Sequence, residues 1–226
     1  MWESRDGRGA AVRTVWRARV EESSTYVVAG SEHWGISFVR RAGALSAELD
    51  GPRLDARSVV SVEGEEYWGV ELAPFVVVPG ASKQTMLGET QPLRVAAGRV
   101  RVGERAVLVP AFDELEDWVQ GLVDSEALRI DDDIRAALSD GVRVGASGRT
   151  WQRRFRSSVG LTGKQVEQVR RAEQAYALLQ AGSTPAEAAA ACGFADQSHL
   201  TRSLRLIRGR TPASILAAAR VRPARD

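Results

Sequence analysis

The chain has 226 residues, 44% hydrophobic and 27% charged, a balance that suits a globular protein with length for one large core or two small ones. No apolar run approaches the roughly 18 residues of a membrane span, and the opening MWESRDGRGAAVR has no apolar signal region, so neither a span nor secretion is expected. The net charge of +2 hides an asymmetry: residues 141–226 carry 15 Lys and Arg against 5 Asp and Glu, and the remainder 16 against 24. A basic C-terminal part joined to an acidic N-terminal part points to a polyanion-binding module attached to something that is not one.

Residues 1–22 are rich in Arg and Glu with little period, and a poorly ordered start is expected there. From Tyr26 to Pro110 the signals are those of strands. Trp34 to Val39 alternates before Arg40-Arg41, and Ala44 to Leu49 alternates again and ends at the turn Asp50-Gly51-Pro52. Ser58 to Val62 and Tyr67 to Leu72 are further runs, the latter continuing past Pro74 into Phe75 to Val78; Val100 to Val102 and Val107 to Val109 are short ones. Short strands at this spacing, with Gly and Pro between them, predict a small β-barrel or sandwich. Trp34, Tyr67, Trp68 and Phe75 sit at strand spacing, which suits plain core and equally the lining of an apolar pocket. His33 stands apart from any second ligand. Two histidines in the whole chain are too few for a typical His-rich metal site, and no cofactor is expected.

FDELEDWVQGLV, residues 112–123, places Phe112, Leu115, Val119 and Leu122 on one helical face, with acidic residues favouring its first turn. Asp132 to Leu138 predicts a second short helix behind another acidic cap. This region reads as the connector, giving a β-rich part over 1–111, a linker helix over 112–127 and a helical part over 128–226. After the Gly-rich stretch SDGVRVGA, Trp151, Phe155 and Val159 form a core face, while Arg149, Gln152, Arg153 and Arg156 fall largely opposite. Thr162 and Gln165 make a capping box for a helix striped by Val166, Val169, Ala172, Tyr176 and Leu179. About 18 residues at 1.5 Å each give roughly 27 Å. Arg170 and Arg171 on this helix suit phosphate contact or ordinary surface charge equally.

Thr184-Pro185-Ala186-Glu187 is a capping box with Pro at the first helical position, opening a short, small-faced helix. Gly193 and Phe194 end it. Asp196 then caps a helix whose inner face is Leu200, Leu204 and Ile207, and whose other face carries Gln197, Ser198, Thr201, Arg202 and Arg205. Spacing alone fits a helix-turn-helix or a plain helical hairpin with a solvated basic face. Cys192, at the corner, reads as a small core residue, and a chain with one cysteine forms no internal disulfide, which suits a reducing cytoplasm. Thr211-Pro212 caps a last helix to about Arg220, followed by a charged tail.

GFADQSHLTRSLRLIRGRTP closely resembles the second helix-turn-helix of AraC/XylS-type transcription regulators: a glycine-aromatic corner, Asp-Gln-Ser, His199 at the aromatic-or-His position, Thr-Arg, and a closing Gly-x-Thr-Pro. Ser147-x-Arg149…Gln152-Arg153-Arg154-Phe155 resembles the first recognition helix of the same domain. The β-rich half resembles, more loosely, the N-terminal domain of those members with a Trp-Gly-Ile strand and a Pro-Gly corner. The resemblance implies an α+β two-domain protein, a cupin-like barrel or sandwich followed by an all-α domain with two helix-turn-helix units. It implies a bacterial, cytoplasmic transcription regulator, not an enzyme, acting as monomer or homodimer. Double-stranded DNA, RNA polymerase and a small-molecule effector in the N-terminal domain are the expected partners. The DNA-binding residues it implies are Arg149, Gln152, Arg153, Arg156, Gln197, Ser198, His199, Thr201, Arg202 and Arg205; Arg suits guanine O6 and N7, and Gln adenine N6 and N7. The sequence departs from the family in the long SDGVRVGA turn and in Gly163, where Pro is usual. Those departures keep open an interaction module that no longer binds DNA specifically. An alkyl-transfer repair enzyme with a similar helical part needs an activated cysteine, and Cys192 lies within the helix-turn-helix itself.

Overall fold

The computed structural model describes residues 1–139 and 148–221. The Gly-rich turn expected after residue 139, Ser147 and the charged tail beyond residue 221 lie outside them. The strands are β1 (Trp2–Asp6), β2 (Val12–Arg19), β3 (Ser24–Val28), β4 (Trp34–Arg41), β5 (Ala44–Asp50), β6 (Arg57–Ser61), β7 (Glu66–Leu72), β8 (Val76–Val77), β9 (Thr90–Leu93), β10 (Val95–Ala96), β11 (Arg99–Val102) and β12 (Arg105–Leu108). A 3₁₀ turn at Phe112–Glu114 leads into α1 (Leu115–Asp124), then β13 (Arg129–Ile130). The remaining helices are α2 (Asp132–Ser139), α3 (Arg149–Val159), α4 (Gly163–Gln180), α5 (Pro185–Ala191), α6 (Gln197–Arg208) and α7 (Pro212–Val221).

The chain divides into two compact units. The first comprises Met1–Ser24, Glu32–Pro52 and Val60–Gly163; the second comprises Thr25–Ser31, Arg53–Val59 and Lys164–Asp226. In the first, an antiparallel sheet runs β1-β2-β7-β4-β5-β9, and a second runs β10-β11-β12. The larger sheet ends at β1 and β9 without closing, so the arrangement is sandwich-like and not a barrel. Alternation builds the core: Trp34, Ile36 and Phe38 of β4 and Val70 and Leu72 of β7 face inward. Val100 and Val102 of β11 and Leu115, Val119 and Leu122 of α1 complete it. The charged Glu65 is buried at the β7 end, where it accepts from Arg41, from the Tyr67 hydroxyl and, at 2.9 Å, from the Val62 amide.

The expected poorly ordered start is instead β1 and β2, in full register from Trp2 against Ala18 to Asp6 against Thr14. The physical reason is twofold. A register shift between Val12 and Thr14 breaks the period-two pattern, and the charged residues are cross-strand partners, with Glu3 and Arg17 opposite each other and bonded at 2.7 Å. The 58–62 run also finds a different place: β6 pairs with β3 outside the large sheet.

Lys83 is the unusual member of this core. Its side chain is 3% exposed, donates from Nζ to the Pro74 carbonyl and lies 5.3 Å from the Trp34 ring centroid. Burial pushes its ammonium well below the usual lysine value of 10.5, against the pull of the Asp131 carboxylate. Below 10.5 the unfolded chain therefore binds this proton more readily than the folded one. Stability rises with pH towards that value and falls as the pH drops through the folded one. Thermal melts from about pH 7 to about pH 10 should show such a rise in the natural chain and a shallower one in Lys83→Met; equal slopes would refute the assignment.

Candidate nucleic-acid interface

The second unit is organised by the corner between α5 and α6. Thr184 accepts at Oγ1 from the Glu187 amide at 3.3 Å, while Glu187 Oε2 accepts from the Thr184 amide at 2.8 Å, so the predicted capping box forms in full with Pro185 at N1. The Thr184 amide and hydroxyl, both donating to Oε2, hold the Glu187 carboxyl below its usual range. Ala188 and Ala189 face the core with little bulk, which lets α6 approach closely. Gly193 turns the chain at φ 68°, a left-handed conformation that a side-chain-bearing residue adopts at a cost. Phe194 then folds back into the core beside Leu179, Leu200 and Leu204.

Two residues secure that corner in ways that local patterning does not reveal. The Arg171 guanidinium of α4 lies 5.4 Å over the Phe194 ring and donates to the Gly193 carbonyl at 3.3 Å. His199 meets Phe194 edge to face at 5.2 Å, and its Nδ1 accepts from the Ala195 amide at 3.4 Å. Arg171, open between phosphate contact and surface charge in the sequence, is thus engaged by the turn. His199, expected among the DNA-binding residues, has one ring nitrogen committed to the turn. Cys192 beside them is 4% exposed, and burial pushes its thiol up against the opposing influence of Arg171.

Asp196 caps α6 by accepting from the His199 amide at 2.6 Å. At 100° per residue, the buried Leu200, Ser203, Leu204 and Ile207 occupy one side of α6. Ser198, Arg202 and Arg205 fall opposite, at i, i+4 and i+7, and all three are exposed. Gln197 is exposed beside them. Thr201 is half-buried and donates its hydroxyl proton to the Gln197 carbonyl at 2.8 Å.

The first unit holds α3, which has the same construction. Phe155 and Val159 are buried and Trp151 half-buried, as the i, i+4, i+8 spacing requires. Arg149, Arg153 and Arg156 repeat the i, i+4, i+7 stripe on the exposed side, with Gln152 exposed at its flank. The acidic turn that opens α2 holds the inner side: Arg154 pairs with Asp131 at 3.3 Å and Asp133 at 2.7 Å, and Ser158 donates to Asp131 at 3.1 Å. Arg154 therefore belongs to the support of this helix. Arg149, Gln152, Arg153 and Arg156 stay turned to solvent.

Replacing Asp196 by Ala removes the cap acceptor, and the second unit is expected to lose about 1 kcal/mol of stability, read as an earlier transition in chemical denaturation. An unchanged transition would mean that the His199 amide finds another acceptor.

Residues 142–218 match the family described as the helix-turn-helix domain. No curated protein matches the chain in sequence. Among solved structures, ToxT from Vibrio cholerae aligns over 96% of this chain and 98% of its own, with 10% identity and a TM-score of 0.46. A second ToxT structure, from Vibrio cholerae O395, aligns over 98% and 99%, with 12% identity and a TM-score of 0.45. A third, bound to (E)-4-(8-methylnaphthalen-1-yl)but-3-enoic acid, aligns at 10% identity over 96% and 99%, with a TM-score of 0.45. The corner, the caps and the 142–218 match together show that the chain carries a helix-turn-helix domain.

Proposed function

We propose that this chain is a transcription regulator of the AraC/XylS type that reads specific DNA sequences with two helices, α3 and α6, entering successive turns of the major groove, and that residues 128–226 form the DNA-binding part. The observation that supports it most is the repeated stripe. Arg149, Arg153 and Arg156 on α3 and Ser198, Arg202 and Arg205 on α6 share one spacing and are exposed, with the buried apolar face directly opposite on α6 and to one side on α3. Three side chains at i, i+4 and i+7 line up along one edge of a helix, the edge that a helix lying in a groove presents to bases. Arg202 and Arg153 are suited to guanine, Gln152 and Gln197 to adenine, and Ser198 and Thr201 to either. Helix N-termini and the remaining arginines set the register on phosphate. Bound in this way in the cytoplasm, as monomer or homodimer, the chain activates RNA polymerase by contact or represses by occlusion.

The first unit supplies the second half of this reading. A cavity of about 760 Å³ is lined by Arg17, Arg40, Tyr67, Trp68 and Phe112 among others. Of the four aromatic candidates, Tyr67 and Trp68 line this cavity, whereas Trp34 is fully buried and Phe75 packs against the core. Arg17 lies 4.5 Å over Phe112 and Arg40 5.3 Å over Trp68, so flat apolar faces and charged groups meet in one opening. This is where a small-molecule effector would bind.

Selection of bound duplexes from a random pool, followed by sequencing, tests the DNA reading. A defined motif is expected, and Arg202→Ala should cost about 1–3 kcal/mol on it while relaxing preference at one base position. An equal loss on random duplex would make Arg202 a backbone contact. No enrichment at all would overturn sequence-specific reading in favour of a protein-interaction module.

A further inference from the structure

The last carbonyls of a helix have no partner within it, and α6 ends where two of them would otherwise face outward. Gly209, at φ 63°, turns back so that its own amide reaches the Leu204 carbonyl. The Leu206 and Ile207 carbonyls are met by neither this turn nor α7. They accept from Ala56 at 2.7 Å and from Gly30 at 2.6 Å. Both donors belong to segments of the second unit that come from far upstream in the chain, Arg53–Val59 and Thr25–Ser31. These two segments form a ribbon. Strand β3 pairs with β6, and Ser31 and Arg53 exchange two backbone bonds of 2.8 Å at its far end.

The fit leaves no slack. A methyl group on Gly209 would come within 2.7 Å of Val27 Cγ1 and 3.1 Å of Ala56 Cβ. One on Gly30 would come within 2.7 Å of the Leu54 carbonyl. Along the chain, the ribbon leads from Ser31 directly into β4 and arrives at Arg53 directly from β5, the strands joined at Arg41–Ala44 within the large sheet.

We propose that the amides of Gly30 and Ala56 are positioning groups for the DNA-reading helix, and that this ribbon is the route by which the β-rich half controls DNA binding. Two bonds from a segment continuous with the sheet fix the last turn of α6, and through it the direction in which Arg202 and Arg205 point. Any event that shifts β4 or β5 pulls on the ribbon through a few residues of chain. The control of binding rests on the DNA reading proposed above; the clamp itself does not.

Amide hydrogen exchange on the full chain tests the clamp without DNA. Gly30 and Ala56 are expected to exchange at least about tenfold more slowly than solvent-bonded loop amides. Ala56→Pro, which deletes one donor, should speed exchange in α6 from Ser203 to Arg208 about tenfold while leaving the β4 and β5 amides unchanged. Ala56→Gly keeps the donor and should leave α6 as it was. Loop-rate exchange at Gly30 and Ala56, or an α6 indifferent to the proline, overturns the clamp. On the selected duplex, Ala56→Pro should weaken binding about tenfold and Ala56→Gly should restore it, with random duplex unaffected by either. Unchanged affinity in Ala56→Pro overturns the control role. Absence of any selected duplex counts against the DNA reading alone, because the exchange measurements still decide the clamp.

Discussion

The burial of Phe194 behind a left-handed glycine is the constraint on which the second unit depends. Once the ring is in the core, Asp196 stands where it can cap α6, and Leu200, Leu204 and Ile207 must turn inward. The basic stripe is then exposed because the opposite side is committed. Arg171 and His199 grip the same ring from two directions, so the angle between α5 and α6 is fixed by side-chain geometry and not by the turn alone. The base reading proposed for α6 would need this support, because small errors in its direction become large displacements at the tips of arginine side chains.

Charge is distributed to serve the same end. Acidic residues in the first unit are placed against specific cations. Asp131 and Asp133 hold Arg154, Glu116 holds Arg5, and Glu65 holds Arg41. Arg149, Arg153 and Arg156 of the same helix are exposed on a different side from Arg154. The contrast within one short helix separates the arginine that supports from those proposed to read bases, a distinction net charge cannot make.

Much of the helical part was legible in the sequence because its rules are local. The Thr184 box, the Asp196 cap and the Leu200, Leu204, Ile207 face each depend on residues three or four apart, and each forms as the pattern requires. The strands β1 and β2 were not legible, because an irregular register hides their period and their charges are satisfied only across the pair. The departure of β3 and β6 from the sheet, and the roles of Arg171 and His199, depend on neighbours distant in sequence. Nothing in a window of residues announces that the Leu206 and Ile207 carbonyls are answered by amides from the other end of the chain.

The position of Cys192 has a practical consequence. It is the chain's one sulfhydryl, shielded at the corner between α5 and α6 and shifted towards its protonated form. Electrophiles will therefore modify it slowly while the corner is shut and rapidly when α6 lifts away. The protein thus has a built-in reporter, and the speed of alkylation measures how often the α5–α6 corner opens.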